Sequence, residues 1–435
     1  MRSVLFIVSL VFLSACLSPF IGQDPPTGLS GPPALRARFD SVMAAAHLSW
    51  QRGPEEGFLR YELERRTAID SAVVAVLDDL EDTTYVDPGL LGDVVYRYRV
   101  VTYLDRDQGE VSLPSSVVEG GIHRQVVVWP AGTEEERFLP TRLVVGPDGV
   151  ISVVGVGSGS VRRFDGTGNL LATLPFTRDR LACMETACLD GPSLALDSRG
   201  SLHVVYNVRR ESGPVQALWT KFDPEGRPVW TRPLGVLFAR QILIDAQDRV
   251  RIESVSQLLE YDLEGQPVGP RRLLPPLLAT SVHLWTGRVA ALVEPLQTDD
   301  APTPAPRLIV YRDADRRETD FTVGRDPIDA DDRGDGLLQR PADFCVEDGA
   351  DRAFILNAGL HRIEVFRRGQ FLTRWGEAGE EPGQFRFGGS VEVVDDPTRG
   401  QASERQVLAG GIARDREGFL YVADTFNDRI HKYGP

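Results

Sequence analysis

Lysine is almost missing from this chain of 435 residues: Lys221 and Lys432 are the only two, and every other basic residue is arginine. Acidic residues number 63 against 48 basic ones, for a net charge of −15. No basic stripe with interleaved aromatics offsets that balance. Such a surface repels phosphate backbones and excludes nucleic acid as a partner. The arginine bias reads as genome composition rather than chemistry. The chain also lacks a G-x-S-x-G elbow, a phosphate-binding loop and a dinucleotide fingerprint, so three common enzyme signatures are missing. Its amino-terminal apolar run, Val4 to Phe12, is too short to cross a bilayer as a helix.

What the chain does hold is turn formers, 42 Gly and 30 Pro spread along its length, with 42% hydrophobic residues. That is the composition of turn-rich all-β domains, and the length suits two or three of them. The amino terminus has the layout of a secretion signal: positive Met1-Arg2-Ser3, the apolar run, then small Ser14 and Ala15 before Cys16. Leu13-Ser14-Ala15-Cys16 resembles the bacterial lipobox. The resemblance implies that residues 1–15 are removed and Cys16 carries the lipid, with several acyl chains giving stable anchoring. Leu17 after that cysteine implies the outer membrane in a host that has one. An ordinary signal peptide with a chance cysteine is the plainer alternative. Residues 16–33, with Pro-Pro and Gly, then read as the lipidated cysteine and a flexible tether.

Cys183 and Cys188 sit close together between two expected strands. In an oxidising envelope that spacing favours a local disulfide. A metal pair is the rival, but no second Cys/His pair completes a tetrahedral site. Cys345 reads as a buried apolar thiol.

Residues 34–122 show short strands of alternating character. Leu48 and Trp50 share a face, as do Tyr61 and Leu63, and Tyr96, Tyr98 and Val100. Such strands suit a β-sandwich. The Leu-x-Trp and Tyr96-x-Tyr98-x-Val100 patterns resemble a fibronectin type III domain, which implies a spacer that presents its neighbour.

Residues 123–435 repeat. The last unit, Gly411 to Tyr433, reads as three short strands joined by tight turns, too short to bury a face alone. It resembles an NHL repeat, with Trp375-Gly376 and Pro382-Gly383-Gln384-Phe385 like that family's linker. Turns at Asp148-Gly149, Arg199-Gly200, Gln247-Asp248, Thr286-Gly287, Asp348-Gly349 and Glu417-Gly418 mark six units. Their third strands close on Phe164, Phe222, Tyr261, Tyr311, Phe366 and Tyr433. The expectation is an all-β chain: a fibronectin type III-like sandwich followed by a six-bladed β-propeller. The last unit lacks an outer strand, and strand 125–129 is expected to supply it. The sandwich should then hang from the rim of the closing blade.

For chemistry, the histidines fall in different strand positions: His203 in a second strand, His283 in a first, His361 and His431 in third strands. They do not converge on one channel layer, which argues against a His-ligated metal. The acidic stretch Asp326 to Gly336 offers Asp326, Asp329, Asp331 and Asp335 as a calcium loop. It departs from the EF-hand pattern, and a solvated linker is the alternative. Asp424, Asn427, Arg429 and the matching Arg362 read as structural ties between turns. The functional expectation is a non-catalytic recognition or scaffold module for a protein or envelope polysaccharide, with no cofactor and a membrane contact through the lipid. A metal-dependent hydrolase or lyase in the propeller channel is the competing one.

Overall fold

The computed structural model describes residues 34–40, 45–67, 70–90, 95–107, 109–122, 125–133, 136–156, 158–177, 181, 191–209, 214–273, 278–285, 288–294, 305–312, 318–329, 332–347, 352–367, 369–396 and 401–434. Within these, the side chains of 278–280, 284–285, 294 and 391–405 are not described. Cys16, Cys183, Cys188 and Asp331, singled out above, lie outside the described residues.

Two sheets face each other at the amino-terminal end. One runs Leu35–Asp40, Ala45–Trp50, Thr84–Pro88 in spatial order. The other runs Ser71–Leu77, Phe58–Arg66, Tyr96–Arg106, Gly109–Pro114, with Val118–Gly120 also paired to Tyr96–Arg106. Period-two alternation sends Leu48, Trp50, Tyr61, Leu63, Tyr98 and Val100 into one shared core, with Trp50 edge-on to Tyr61 at 5.6 Å.

Beyond it lie six four-stranded antiparallel sheets. Five are built from consecutive strands, with inner strands Pro140–Val145, Ser193–Leu196, Ala239–Ile244, Leu278–Trp285 and Asp343–Glu347. The sixth combines Gly411–Arg414, Leu420–Asp424 and Arg429–Tyr433 with Gln125–Pro130 as its outer strand. Each inner strand packs on the next, and Gly411–Arg414 packs on Pro140–Val145, so the ring is closed. This is a six-bladed β-propeller. The closing ladder pairs Arg429 with Pro130, Ile430 with Trp129 and Lys432 with Val127, and it leaves no open edge on the third strand of the last blade. Gly411 is dictated by that closure. A Cβ there would stand 2.6 Å from the Thr141 carbonyl oxygen of blade one.

The two lysines are part of this ring. Lys221 and Lys432 hold the same place, next to last in a third strand, and each Nζ donates to a carbonyl of the following blade. Lys221 reaches Leu263 O at 3.0 Å and Lys432 reaches Gly166 O at 3.3 Å. Arg163, also next to last, does the same to Pro224 O at 2.9 Å.

The sandwich corrects one expectation. Its strand Leu35–Asp40 lies against Gln370–Trp375, the outer strand of blade five, and Arg367 meets Glu119 at 3.3 Å. It therefore leans on blade five beside the closing blade. The contact is made by strand packing, and the half-exposed Arg367–Glu119 pair only borders it. His361 is also displaced from its expected third strand. It sits in a left-handed turn, φ 51°, between the short 3-10 turn Ala358–Leu360 and the strand Arg362–Arg367.

Candidate functional site at the channel mouth

In the inner strands of blades one, two, three and five, a polar residue (Arg142, Ser193, Gln241 or Asp343) stands directly ahead of an apolar run. These polar residues stitch the ring. Ser193 Oγ accepts the Ile242 N–H at 3.1 Å. The Gln241 side chain takes the Val282 N–H at 2.7 Å and donates to its carbonyl at 2.6 Å. Ser281 Oγ donates to Asp343 Oδ1 at 2.6 Å, and Asp343 Oδ2 accepts the Ile412 N–H at 3.0 Å. One level of the channel is thus held by hydrogen bonds that cross from blade two to blade six.

At that level lies a cavity of about 190 Å³, lined by residues of blades one to five. Its polar groups are Arg142, Ser193, Gln241, His283 and Asp343, and its walls are aliphatic, including Leu143, Leu194, Leu243 and Ile244. His283 Nε2 lies 3.4 Å from Asp343 Oδ1, and the ring stands edge-on to Phe344 at 4.7 Å. Burial alone would raise the Asp343 carboxyl, but His283, Arg142 and Ser281 outweigh it and hold the group below its ordinary value. The His283 side chain is 34% exposed and Asp343 only 6%, so the histidine is the accessible member of the pair.

The ends of the blades differ. Turns between first and second strands are short, and Asp148, Asp197, Asp245 and Asp415 close four of them by accepting nearby backbone N–H groups. At the other end, long connections bridge Pro175 to Ser193, Glu294 to Arg307, Val323 to Asp343 and Trp375 to Gly411. Up-and-down strands put all of these on one face, the face where the inner strands begin. The last connection contains a hairpin, Gly388–Asp396 paired with Gln401–Leu408, that the sequence reading missed. Its base is seated where Val407 and Ala409 pack on Phe426.

On the same face the structural ties take shape. Asp424 Oδ2 accepts from Asn427 Nδ2 at 2.8 Å, Arg429 Nε at 2.8 Å and His431 Nε2 at 3.1 Å. Arg429 then donates to the linker carbonyls of Glu380 at 2.6 Å and Gln384 at 2.9 Å. Blade five repeats the device: Arg362 pairs with buried Glu364 and donates to the carbonyls of Arg333 and Gly334, each at 2.8 Å.

The acidic loop is organised by Asp332, which the sequence reading passed over. It meets Arg325 and accepts the N–H groups of Ile328 at 2.9 Å and Gly334 at 2.7 Å. The Arg325 guanidinium and then those backbone donors hold its carboxyl well below the usual range. Of the four residues named for calcium, Asp326 meets Arg307 at 2.6 Å and Asp335 meets Arg374 at 3.0 Å. Asp329 caps the loop through its carbonyl, which accepts the Asp332 N–H at 3.3 Å. Among the described residues no group of three or more His, Cys, Asp or Glu is placed to hold a metal ion. Cys345 is buried in the inner strand of blade five, and burial pushes its thiol up. Arg142, Ser193, Gln241 and Asp343 were missed as a set. Their signal was present: one polar residue directly ahead of the apolar run in each of blades one, two, three and five.

The sequence matches no protein-family model and no curated protein. Solved structures similar to the chain are β-propellers. They include the Pan2 WD40 domain of Neurospora crassa, 9% identical with a TM-score of 0.42 over 71% of this chain and 94% of that one. A streptogramin B lyase is 10% identical with a TM-score of 0.40 over 71% of this chain and 97% of that one. A Kuenenia stuttgartiensis hydrazine synthase chain is 12% identical with a TM-score of 0.41, over 73% and 99%. At such distances the six-bladed assignment rests on this chain's own strand pairing.

Proposed function

We propose that the protein is a lipid-anchored envelope module. Cys16 tethers a fibronectin type III-like sandwich, and the sandwich carries an NHL-like propeller whose linker face recognises a protein or an envelope polysaccharide. In this reading the Cys183–Cys188 pair is a disulfide suited to that compartment. The observation that carries the proposal is the asymmetry of the connections: the strand ends joined by the long ones all lie on the linker face, while the turns between first and second strands on the opposite face are short and several are closed by their own Asp. Loops converging around one shallow mouth make a recognition surface without dedicated chemistry. Exposed apolar side chains accompany them, Leu237 at 69% and Ile328 at 85%. Calcium is not needed for this reading, since arginines already neutralise Asp326 and Asp335.

The test is capture from envelope extract with residues 17–435. Lys221 and Lys432 are engaged within the ring, so the crosslinker should be photoactivated rather than amine-directed. One dominant partner is expected, and Leu237→Glu with Ile328→Glu should reduce its capture about tenfold, the effect of a few central contacts. Equal capture by the double variant, or nothing above background, would overturn the proposal.

A further inference from the structure

We infer that the chain pairs with a second copy of itself through the sandwich strand Ser71–Leu77, joined antiparallel across a two-fold axis. Among the described residues this strand pairs only with Phe58–Arg66, so the other side of its backbone has no ladder. It reads Ser-Ala-Val-Val-Ala-Val-Leu, and Val73 and Val76 are 51% and 59% exposed. Among the described strands that end a sandwich sheet or form the outer side of a blade, it alone has no charge, Pro or Gly. The others carry the residues that blunt an edge, such as Pro130, Pro175, Pro228, Pro233 and Asp320.

Position and charge select a second copy as the occupant. Tyr85 Oη donates to the Val74 carbonyl at 3.0 Å, which sets Ser71–Leu77 beside Thr84–Pro88. That edge is opposite Leu35–Asp40, the strand that rests on blade five, so the propeller does not stand in the way. On the outer face Val73 lies beside Glu64 and Val76 beside Glu62. Both acids are taken by arginines, Glu64 by Arg99 at 2.6 Å and Glu62 by Arg60 at 2.7 Å. A chain of net charge −15 thus meets its copy at a neutral edge, and no antiparallel register opposes like charges. The same neutrality offers a charged partner no field. Peptides added to a sheet edge are selected by pockets for alternate side chains. Alanines and valines give this edge a small, uniform surface that matches itself, as an isologous interface requires. The strand has seven residues and a bulge at Val74, which limits the pairing. Such an interface stays below about 1,200 Å², at the weak end of the range. A Kd on the order of 10 µM is expected.

Sedimentation velocity on residues 17–435 tests this, with amide exchange read at low and high concentration. The native chain should pass from monomer to dimer over about 1–100 µM. Exchange should slow across residues 71–77 as it does. Val73→Lys with Val76→Lys should raise Kd about tenfold or more through like-charge opposition. Both side chains are exposed, so the melting temperature at low concentration should not fall. Val73→Thr with Val76→Thr keeps strand preference without charge and should still dimerise. Leu170→Lys, on the exposed outer strand of blade one, should change nothing. Monomers throughout, or a dimer indifferent to the lysine pair, would overturn the inference. Monomers whose capture of an envelope protein is lost in the lysine variant would overturn it in favour of a foreign strand.

Discussion

Replacing Gln125–Pro130 by a Gly/Ser segment of equal length is expected to lower the melting temperature of the whole propeller, not to fray one strand. The segment is the outer strand of the closing blade and lies about three hundred residues before its partner in the chain. Trp129 is 5% exposed and packs between Phe164 of blade one at 6.3 Å and Tyr421 of blade six at 6.5 Å. The indole thus bridges the seam where the ring closes. Removing a buried Trp side chain alone costs about 3–5 kcal/mol. Losing the ladder also exposes the third strand as an open edge. At roughly 2–4 °C per kcal/mol for a domain of this size, a fall of about 10–20 °C is expected. Trp129→Ala should reproduce around half of it. Differential scanning calorimetry checks this, and an unchanged propeller transition would show that the ring does not depend on the amino-terminal strand.

Much of that architecture was legible because propeller blades leave local marks. Turn residues stand between apolar runs, and an aromatic closes five of the six third strands: Phe164, Phe222, Tyr261, Tyr311 and Tyr433 end their strands as read, whereas in blade five Phe366 is followed by Arg367 before the strand ends. The sandwich core was legible for the same reason, since period two puts Leu48 with Trp50 and Tyr61 with Leu63. What was not legible depends on contacts between blades. Arg142 and Asp343 look like ordinary strand residues until the ring places them at one level. Asp332 is one carboxylate among several until Arg325 and two backbone donors select it. The hairpin Gly388–Leu408 interrupts the repeat, so a search for period-like units steps over it. His361 was misplaced by one residue because a left-handed turn residue has no strong sequence mark unless it is Gly or Asn.

Asp424→Ala is expected to be the most damaging single substitution on the linker face. The carboxylate is fully buried and takes four donors: Arg386 N–H at 2.6 Å, Asn427, Arg429 and His431. Alanine would leave a largely buried guanidinium and a buried imidazole facing a void. Breaking a buried pair by removing one partner costs about 3–5 kcal/mol, more than the pair's net worth, because the other charge stays behind. Asp424→Asn keeps size and an acceptor and should cost clearly less. The damage should also spread along the chain. Arg429, no longer held by Asp424, releases the carbonyls of Glu380 and Gln384, so amide exchange should quicken across residues 377–386. The pH dependence follows from the same buried histidines. Burial lowers the pKa of His203, His361 and His431, with Asp197 and Asp424 opposing it only in part. The unfolded chain therefore binds protons near pH 6.5 that the folded chain refuses, and stability falls as pH falls, by up to about 1.4 kcal/mol per pH unit for each proton. The carboxyls of Asp197 and Asp424, held below their ordinary value, add a loss of the same sign only at lower pH. Melting temperature should thus drop between pH 7 and pH 5 in the native chain. A flat profile over that range, or an Asp424→Ala protein that melts like the native one, would show that these buried groups do not hold the blade.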